Sequence, residues 1–211
     1  MILNSSNFNT ELEYFKILGY TVPDNIEIPD NILFSNFNEI AIIGNGFSET
    51  SYGSIIDSFE HVCRFNSYKI DNYEDLVGKK VTHHVINSLS FKHIKPSSIE
   101  NNIQYILMDT GRPKVAFDFY FNNIKHMDNI FLMAPSHYVK LGRFFKNKCK
   151  TQGFLFTETA KMTFQKIHLF GFCSNTHYFN RGHKMDRAHP VQEEHDMYEL
   201  WSSDPNFKIN A

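Results

Sequence analysis

The sequence is short of cysteine, of net positive charge and of long apolar runs, and each shortage excludes a class of protein. Cys63, Cys149 and Cys173 are the only cysteines in 211 residues. An odd number with no C-x-x-C spacing indicates neither a disulfide framework nor a zinc ribbon. Reduced thiols and a cytoplasmic setting are the expectation. Lys and Arg number 21 against 23 Asp and Glu, a formal charge of -2. A chain that grips nucleic-acid phosphates normally has a basic balance, so no nucleic-acid partner is expected. No apolar stretch approaches the ~20 residues of a membrane-spanning helix. The opening MILNSSNFNTELEYFKILGY has no basic region, apolar core and small-residue cleavage site. The expectation is therefore no transmembrane segment and no leader; peripheral membrane contact and oligomeric state are left open.

Hydrophobic residues make up 42% of the chain and aromatics 15%, including 21 Phe and 10 Tyr, a composition that folds. Residues 1–36 read as a lead-in, with a short amphipathic run from Leu12 to Leu18 ending at Gly19 and breaks at Pro23 and Pro29. Residues 37–211 read as one domain. Ile40–Ile43, bounded by Gly44-Asn45-Gly46, has the form of a buried parallel strand. Further strands are expected through Val62–Phe65, Lys80–Ile86, Ile103–Met108, Ile130–Met133 and Ile167–Phe172. Helices are expected over Val115–Asn123 and Gly153–Gln165. This alternation predicts an α/β fold: a mostly parallel central sheet, flanking helices and a Rossmann-like site at the strand C-termini. From Cys173 to His195 the apolar pattern fades, which predicts a long functional loop or lid.

Gly44-x-Gly46 after a strand lets backbone amides approach a phosphate. The position for the third small residue of a dinucleotide fingerprint holds Glu49, and the second strand ends in Arg64-Phe65-Asn66, not a ribose-binding acid. A nicotinamide oxidoreductase therefore rests on Gly44 and Gly46 alone. No Lys-Ser/Thr follows a glycine loop, which removes the phosphate-loop NTPases. His177, His183, His189 and His195 recur at six-residue intervals, a spacing that suits neither one face of a helix nor one face of a short strand with turns. A histidine acting as base near neutral pH fits them better than a metal centre, and no metal site is expected.

The segments acquire meaning in order. Ile42-Ile43-Gly44-Asn45-Gly46, Tyr52-Gly53, Ile56-Asp57, Val62-x-Arg64-Phe65-Asn66 and Val77-Gly78-x-x-x-Thr82-His83-His84 form one colinear block. It resembles the large sialylmotif of glycosyltransferase family 29, the sialyltransferases. Gly153, then Ala160, then His168-Leu169-Phe170-Gly171-Phe172 resemble the small motif. His177-Tyr178 sits where the third motif has its His-Tyr, and His189 with Glu194 matches the very small motif.

The resemblance implies a GT-A-like variant fold and inverting transfer of sialic acid from CMP-sialic acid to a glycan hydroxyl. CMP-sialic acid is then the donor substrate, and no cofactor is implied. It implies His189 as general base and His177 on the CMP phosphate; our own expectation adds Glu194 as the neighbour that orients His189. Asn45, Gly46, Asn66, Gln152, Gly153, Gly171 and Phe172 would form the donor site, while Thr82, His83 and His84 would pack and orient it. No Asp-x-Asp occurs, and a donor with one phosphate does not need the paired carboxylates that hold a divalent ion, so a metal-independent reaction is expected. Two departures stand out. Gln152 replaces the family's usual Ser or Thr, and the positions of the family's disulfide hold Ala41 and Phe164. The alternatives are an inactive CMP- or glycan-binding domain of the same fold, or a transferase of another CMP-activated acidic sugar.

Overall fold

The computed structural model describes residues 2–23, 38–94, 99–124, 127–145, 147–172, 174, 176–180 and 189–210. Cys173 and His183 lie outside these. Seven strands form one sheet in the order β5-β4-β3-β2-β1-β8-β9. They are β1 (Glu39–Ile43), β2 (Val62–Phe65), β3 (His83–Ile86), β4 (Gln104–Leu107), β5 (Ile130–Leu132), β8 (Lys166–Phe170) and β9 (Phe207–Asn210). Every neighbouring pair is parallel. Between β5 and β8 a small antiparallel ribbon joins β6 (Phe144–Phe145) to β7 (Lys148–Cys149).

The six expected strands are present, each within a few residues of its expected limits; β9 closes the far edge with no counterpart in the sequence reading. β1 shows why so short a run is legible. Parallel strands bury both faces, so an uninterrupted Ile-Ala-Ile-Ile segment suits a central position. Ile40 and Ile42 enter the larger core cluster, and Ala41 and Ile43 a smaller one with Ile56, Phe59 and Phe170. Ile56 belongs to α2 (Gly53–Ser58).

The larger cluster holds most of the aromatic residues. It takes Phe15 from α1 (Ser5–Ile17), Phe117 from α5 (Pro113–Phe119) and Tyr138 from α6 (Pro135–Lys140). Phe154 and Phe156 of α7 (Gln152–Ala160) and Tyr198 of α8 (Val191–Trp201) complete it. Phe15 meets Phe117 edge-to-face at 4.8 Å between ring centroids. Two short helices, α3 (Glu74–Val77) and α4 (Ser88–Phe91), follow β2 and β3. After α5 the chain widens into a π-helical turn, Tyr120–Ile124.

The N-terminal segment is longer and better anchored than the sequence pattern implies. α1 begins at Ser5 because Asn4 and Asn7 cap each other reciprocally, at 2.9 and 3.1 Å. It ends where Gly19 takes a left-handed φ of 73°. Leu3 donates its N–H to the Leu132 carbonyl at 2.9 Å, and Glu11 of α1 accepts from both N–H and hydroxyl of Ser136 at 2.7 and 2.6 Å. Residues 2–23 are thus built into the core beside β5 and α6. The helix expected over Gly153–Gln165 stops at Ala160, and the expected loop gives way to α8 at Val191. Ala41 and Phe164 belong to separate core clusters. Cys63 and Cys149 are free thiols.

Candidate functional site

Strand order reverses beside β1: β2 to β5 extend to one side, while β8 and β9 lie on the other. Such a reversal is where an open α/β sheet forms a crevice at its carboxyl edge. A cavity of about 570 Å³ lies there, the size of a small-molecule site. It is lined from the ends of β1, β2, β3, β4 and β8, the start of α7, the segment around His177, and α8 with its approach. All ten sequence-predicted site residues line it: Asn45, Gly46, Asn66, Gln152, Gly153, Gly171, Phe172, His177, His189 and Glu194.

The glycines are fixed first by packing. Gly171, at φ 69°, presents its carbonyl to Gly46 N–H at 2.9 Å. A Cβ on Gly44 or Gly46 would stand 2.4 Å from that oxygen. Glycine is required there for the β1 and β8 loops to lie together, whatever binds above them. Gly153 answers to Phe172 in the same way, because a Cβ on it would meet the ring at 2.8 Å. The small motif's Gly and closing Gly-Phe are therefore one packed unit. Phe172 and Tyr198 pack edge-to-face at 5.4 Å, and Phe154 stacks on Trp201 at 5.1 Å. These contacts seat α8 beside the cavity.

Asn66 is a hub. It holds a left-handed φ of 46°, which Asn tolerates better than most residues. Its amide nitrogen donates to Gln152 Oε1, and its Oδ1 accepts from Asn87 N–H and Nδ2 at 3.1 and 2.9 Å. Gln152 in turn donates to the Met108 carbonyl. One chain of amides thus knits the ends of β2, β3 and β4 to the start of α7. Gln152 is a strut of this chain, a job its longer side chain can do and a Ser or Thr could not. Asn45 reaches the Phe65 carbonyl at 3.4 Å, and its own carbonyl accepts from Tyr178 N–H at 3.0 Å.

His83 and His84 lie outside the cavity lining, and His84 supports the lining residue Asn66 from behind. His84 donates from Nε2 to the Asn66 carbonyl at 2.8 Å, and His83 Nδ1 sits 2.8 Å from the Thr82 hydroxyl. Burial pushes His83 down to about 3 and His84 down to about 4, so both are neutral at pH 7. Arg64, 1% exposed, donates to the Lys80, Val77 and Gly78 carbonyls and locks the block together.

The His177-Tyr178 pair divides its work. Tyr178 is buried; its hydroxyl donates to the Lys69 carbonyl and accepts from Lys69 N–H at 3.0 Å. This anchor holds His177 in a bridge against Gly46, facing the cavity, with Phe179 5.1 Å away.

His189 and Glu194 follow a different plan from the one expected. Nδ1 of His189 lies 2.8 Å from the Cys149 carbonyl. A carbonyl only accepts, so Nδ1 carries the proton in the neutral ring and Nε2 keeps its lone pair. The orienting group is therefore Cys149, which corrects the expectation for Glu194. Glu194, 4% exposed, instead accepts from Thr151 N–H at 2.6 Å and from its hydroxyl at 2.7 Å. Thr151 is the N-cap of α7 and accepts from Phe154 N–H at 3.0 Å. Burial raises the Glu194 carboxyl to about 7, against the pull of Thr151 and Lys150.

Sequence reasoning missed Asn87, Asp109, Arg112, Thr151 and Tyr198, which also line the cavity. A Thr one residue before a helix was a visible cap signal. Asp109 carried none: it accepts from Ser88 N–H and Oγ, at 3.1 and 2.5 Å, across 21 residues of chain.

The chain spans under a third of the length of two curated relatives that it matches. It is 26% identical over 145 residues to sialyltransferase-like protein 2 of Arabidopsis thaliana, covering 67% of this chain and 31% of that protein. It is 31% identical over 88 residues to the Mus musculus CMP-N-acetylneuraminate-beta-galactosamide-alpha-2,3-sialyltransferase 1, covering 41% and 25%. Among solved structures, a mammalian sialyltransferase in complex with Gal-beta-1-3GalNAc-ortho-nitrophenol superposes with a TM-score of 0.71 at 17% identity, covering 99% of this chain and 89% of that one. The monofunctional alpha-2,3-sialyltransferase Cst-I of Campylobacter jejuni gives 0.56 at 16% identity, covering 88% and 79%. These two likenesses concern the fold. The family model for glycosyltransferase family 29 (sialyltransferase) matches residues 3–117, more than half of the chain, from just before α1 into α5, and the chain belongs to that family.

Proposed function

We propose that this chain transfers sialic acid from CMP-sialic acid to a glycan hydroxyl, with inversion and without a metal ion. The observation that carries the reading is His189, a cavity histidine whose Nδ1 is tied to the Cys149 carbonyl so that Nε2 is the basic atom. The acceptor hydroxyl approaches the anomeric carbon opposite the nucleotide. Its oxygen forms the new bond while the bond to the phosphate oxygen breaks. The proton goes to His189 Nε2 and the electron pair leaves with CMP. His177, held on the Gly46 turn, meets the departing phosphate. Asn45 and the amides joined at Asn66 face the nucleotide end of the cavity.

The leaving group is already a phosphate ester, so the demands are a positioned base and a partner for developing phosphate charge. Neutral amides and histidines meet both. The test is titration calorimetry with CMP in EDTA, with CDP, UMP and NADH as controls, followed by product analysis with CMP-sialic acid and a galactoside. His189→Asn should cost at least about 100-fold in turnover, the scale of a lost general base, with CMP affinity retained. Selective CMP binding with neither transfer nor donor hydrolysis would make the chain a binding domain of this fold. Turnover retained in His189→Asn would remove the base assignment.

A further inference from the structure

We infer that Arg112 is the carboxylate-binding residue of the site, an inference that rests on the transferase reading. Among the described residues lining the cavity, Arg112 is the one Lys or Arg. It is exposed, and no described residue hydrogen-bonds or ion-pairs with its guanidinium. The two carboxylates in the lining, Asp109 and Glu194, are occupied by Ser88 and Thr151.

Position separates Arg112 from the nucleotide end. Asn45, Gly46, Asn66 and Gly171 stand at the ends of β1, β2 and β8, whereas Arg112 follows β4 and immediately precedes α5. Its neighbours tie it to the base. A Cβ on Gly111 would stand 3.8 Å from Cys149 Sγ. The Cys149 carbonyl holds His189. The one strong cation in the lining therefore emerges next to the strut that aims the base, where the transferred sugar must sit.

A CMP-activated ulosonic acid brings two anionic groups, the phosphate and a carboxylate on the very carbon that reacts. His177 on the Gly46 turn takes the first. A guanidinium is the side chain best shaped for the second, because its planar fork meets both carboxylate oxygens. Pairing the carboxylate with Arg112 fixes the rotation of the ring about the breaking bond. It also withdraws negative charge from a cation-like transition state, so the gain appears in binding and orientation more than in turnover. The same chemistry would serve an acidic sugar at the end of the acceptor, and the test separates the two sources.

Arg112→Gln and Arg112→Lys are compared with the parent protein by calorimetry, using CMP and a non-transferring CMP-3-fluorosialic acid, and by kinetics with neutral and sialylated acceptors. The expected result for Arg112→Gln is an unchanged CMP affinity, affinity for the fluorinated donor weaker by about tenfold or more, and a larger rise in donor KM than fall in kcat. Arg112→Lys should recover part of the donor affinity. An unchanged donor affinity with KM raised for the sialylated acceptor alone would assign the carboxylate to the acceptor and uphold the inference. Equal loss for CMP and the fluorinated donor would place Arg112 on the phosphate and overturn it, as would no loss in any arm. If the parent protein binds no cytidine nucleotide, the transferase reading itself fails, a result visible before any variant is made.

Discussion

Replacing Glu194 by Gln should change how stability depends on pH more than how large it is. Glu194 is a buried residue of α8 with both oxygens on Thr151, and its carboxyl is raised to about 7 from an ordinary 4.5. A folded state with the higher pKa binds more protons than the unfolded chain between those values. Stability therefore falls as pH rises through that window, and the whole cost is present above pH 7. A shift of this size corresponds to about 3 kcal/mol, of which about 2 kcal/mol develops between pH 5.5 and pH 8. The N-terminal end of α7 favours the ionised form, which makes these figures ceilings. Gln keeps the shape and can still accept from Thr151 N–H, but it does not titrate. Urea unfolding of both proteins at pH 5.5 and 8 should show the Gln variant gaining up to about 2 kcal/mol on the parent across that interval. Every other titrating group is common to both proteins and cancels in the difference. A constant difference across the interval would mean that Glu194 is ionised throughout, and the reasoning from burial would be refuted.

Two further outcomes follow from the scaffold. His84 is held at about 4 by burial, so the unfolded chain binds more protons below pH 6.5 and stability falls as the solution is acidified. His84→Gln, which keeps a donor for the Asn66 carbonyl, should flatten acid unfolding below pH 6.5, by about 3 kcal/mol at the limit; unaltered acid sensitivity would place that loss elsewhere. Gly153→Ala puts a methyl 2.8 Å from the Phe172 ring, an overpacking worth about 1–3 kcal/mol. Differential scanning calorimetry should show a lower Tm, and an unchanged Tm would mean that Phe172 moves aside without cost.

What could be read in the sequence, and what could not, divides along a physical line. β1 was legible because a parallel strand buried on both faces has to be a short uninterrupted apolar run, and Gly44-Asn45-Gly46 marked its end. The histidines and glycines of the site were legible as an ordered series, and the fold delivers that series to one edge of one sheet. The partners were not. Glu11 meets Ser136 across 125 residues of chain, Glu194 meets Thr151 across 43, and Asp109 meets Ser88 across 21. In each pair a carboxylate satisfies both the N–H and the hydroxyl of a residue at or near the start of a helix. Such a device leaves no periodicity and no local spacing. This is why Glu194 could be placed in the site yet assigned the wrong partner. The same holds for Cys149, whose side chain drew attention as a thiol while its backbone carbonyl orients His189.

Those buried carboxylates bear on the chemistry as well as the fold. On the proposed function, a donor with two negative charges enters a cavity lined by Asp109 and Glu194. Asp109 spends its Oδ2 on the Ser88 N–H and hydroxyl. Glu194 is divided between its neutral and ionised forms near pH 7. Raising the pH from 6 to 8.5 converts it to the anion, so donor KM should rise over that interval. A unit charge ~10 Å away at an effective dielectric of ~20–40 is worth about 0.8–1.7 kcal/mol, or roughly 4–17-fold in KM. Glu194→Gln should remove this component and leave only the slope that both proteins share. Donor KM measured at half-unit intervals from pH 6 to 8.5 provides the comparison, at constant ionic strength because such a repulsion is screened by salt. Identical profiles for the two proteins would mean that Glu194 is too well shielded by Thr151 to be felt by the donor, and its part would then be confined to holding α7 and α8 together.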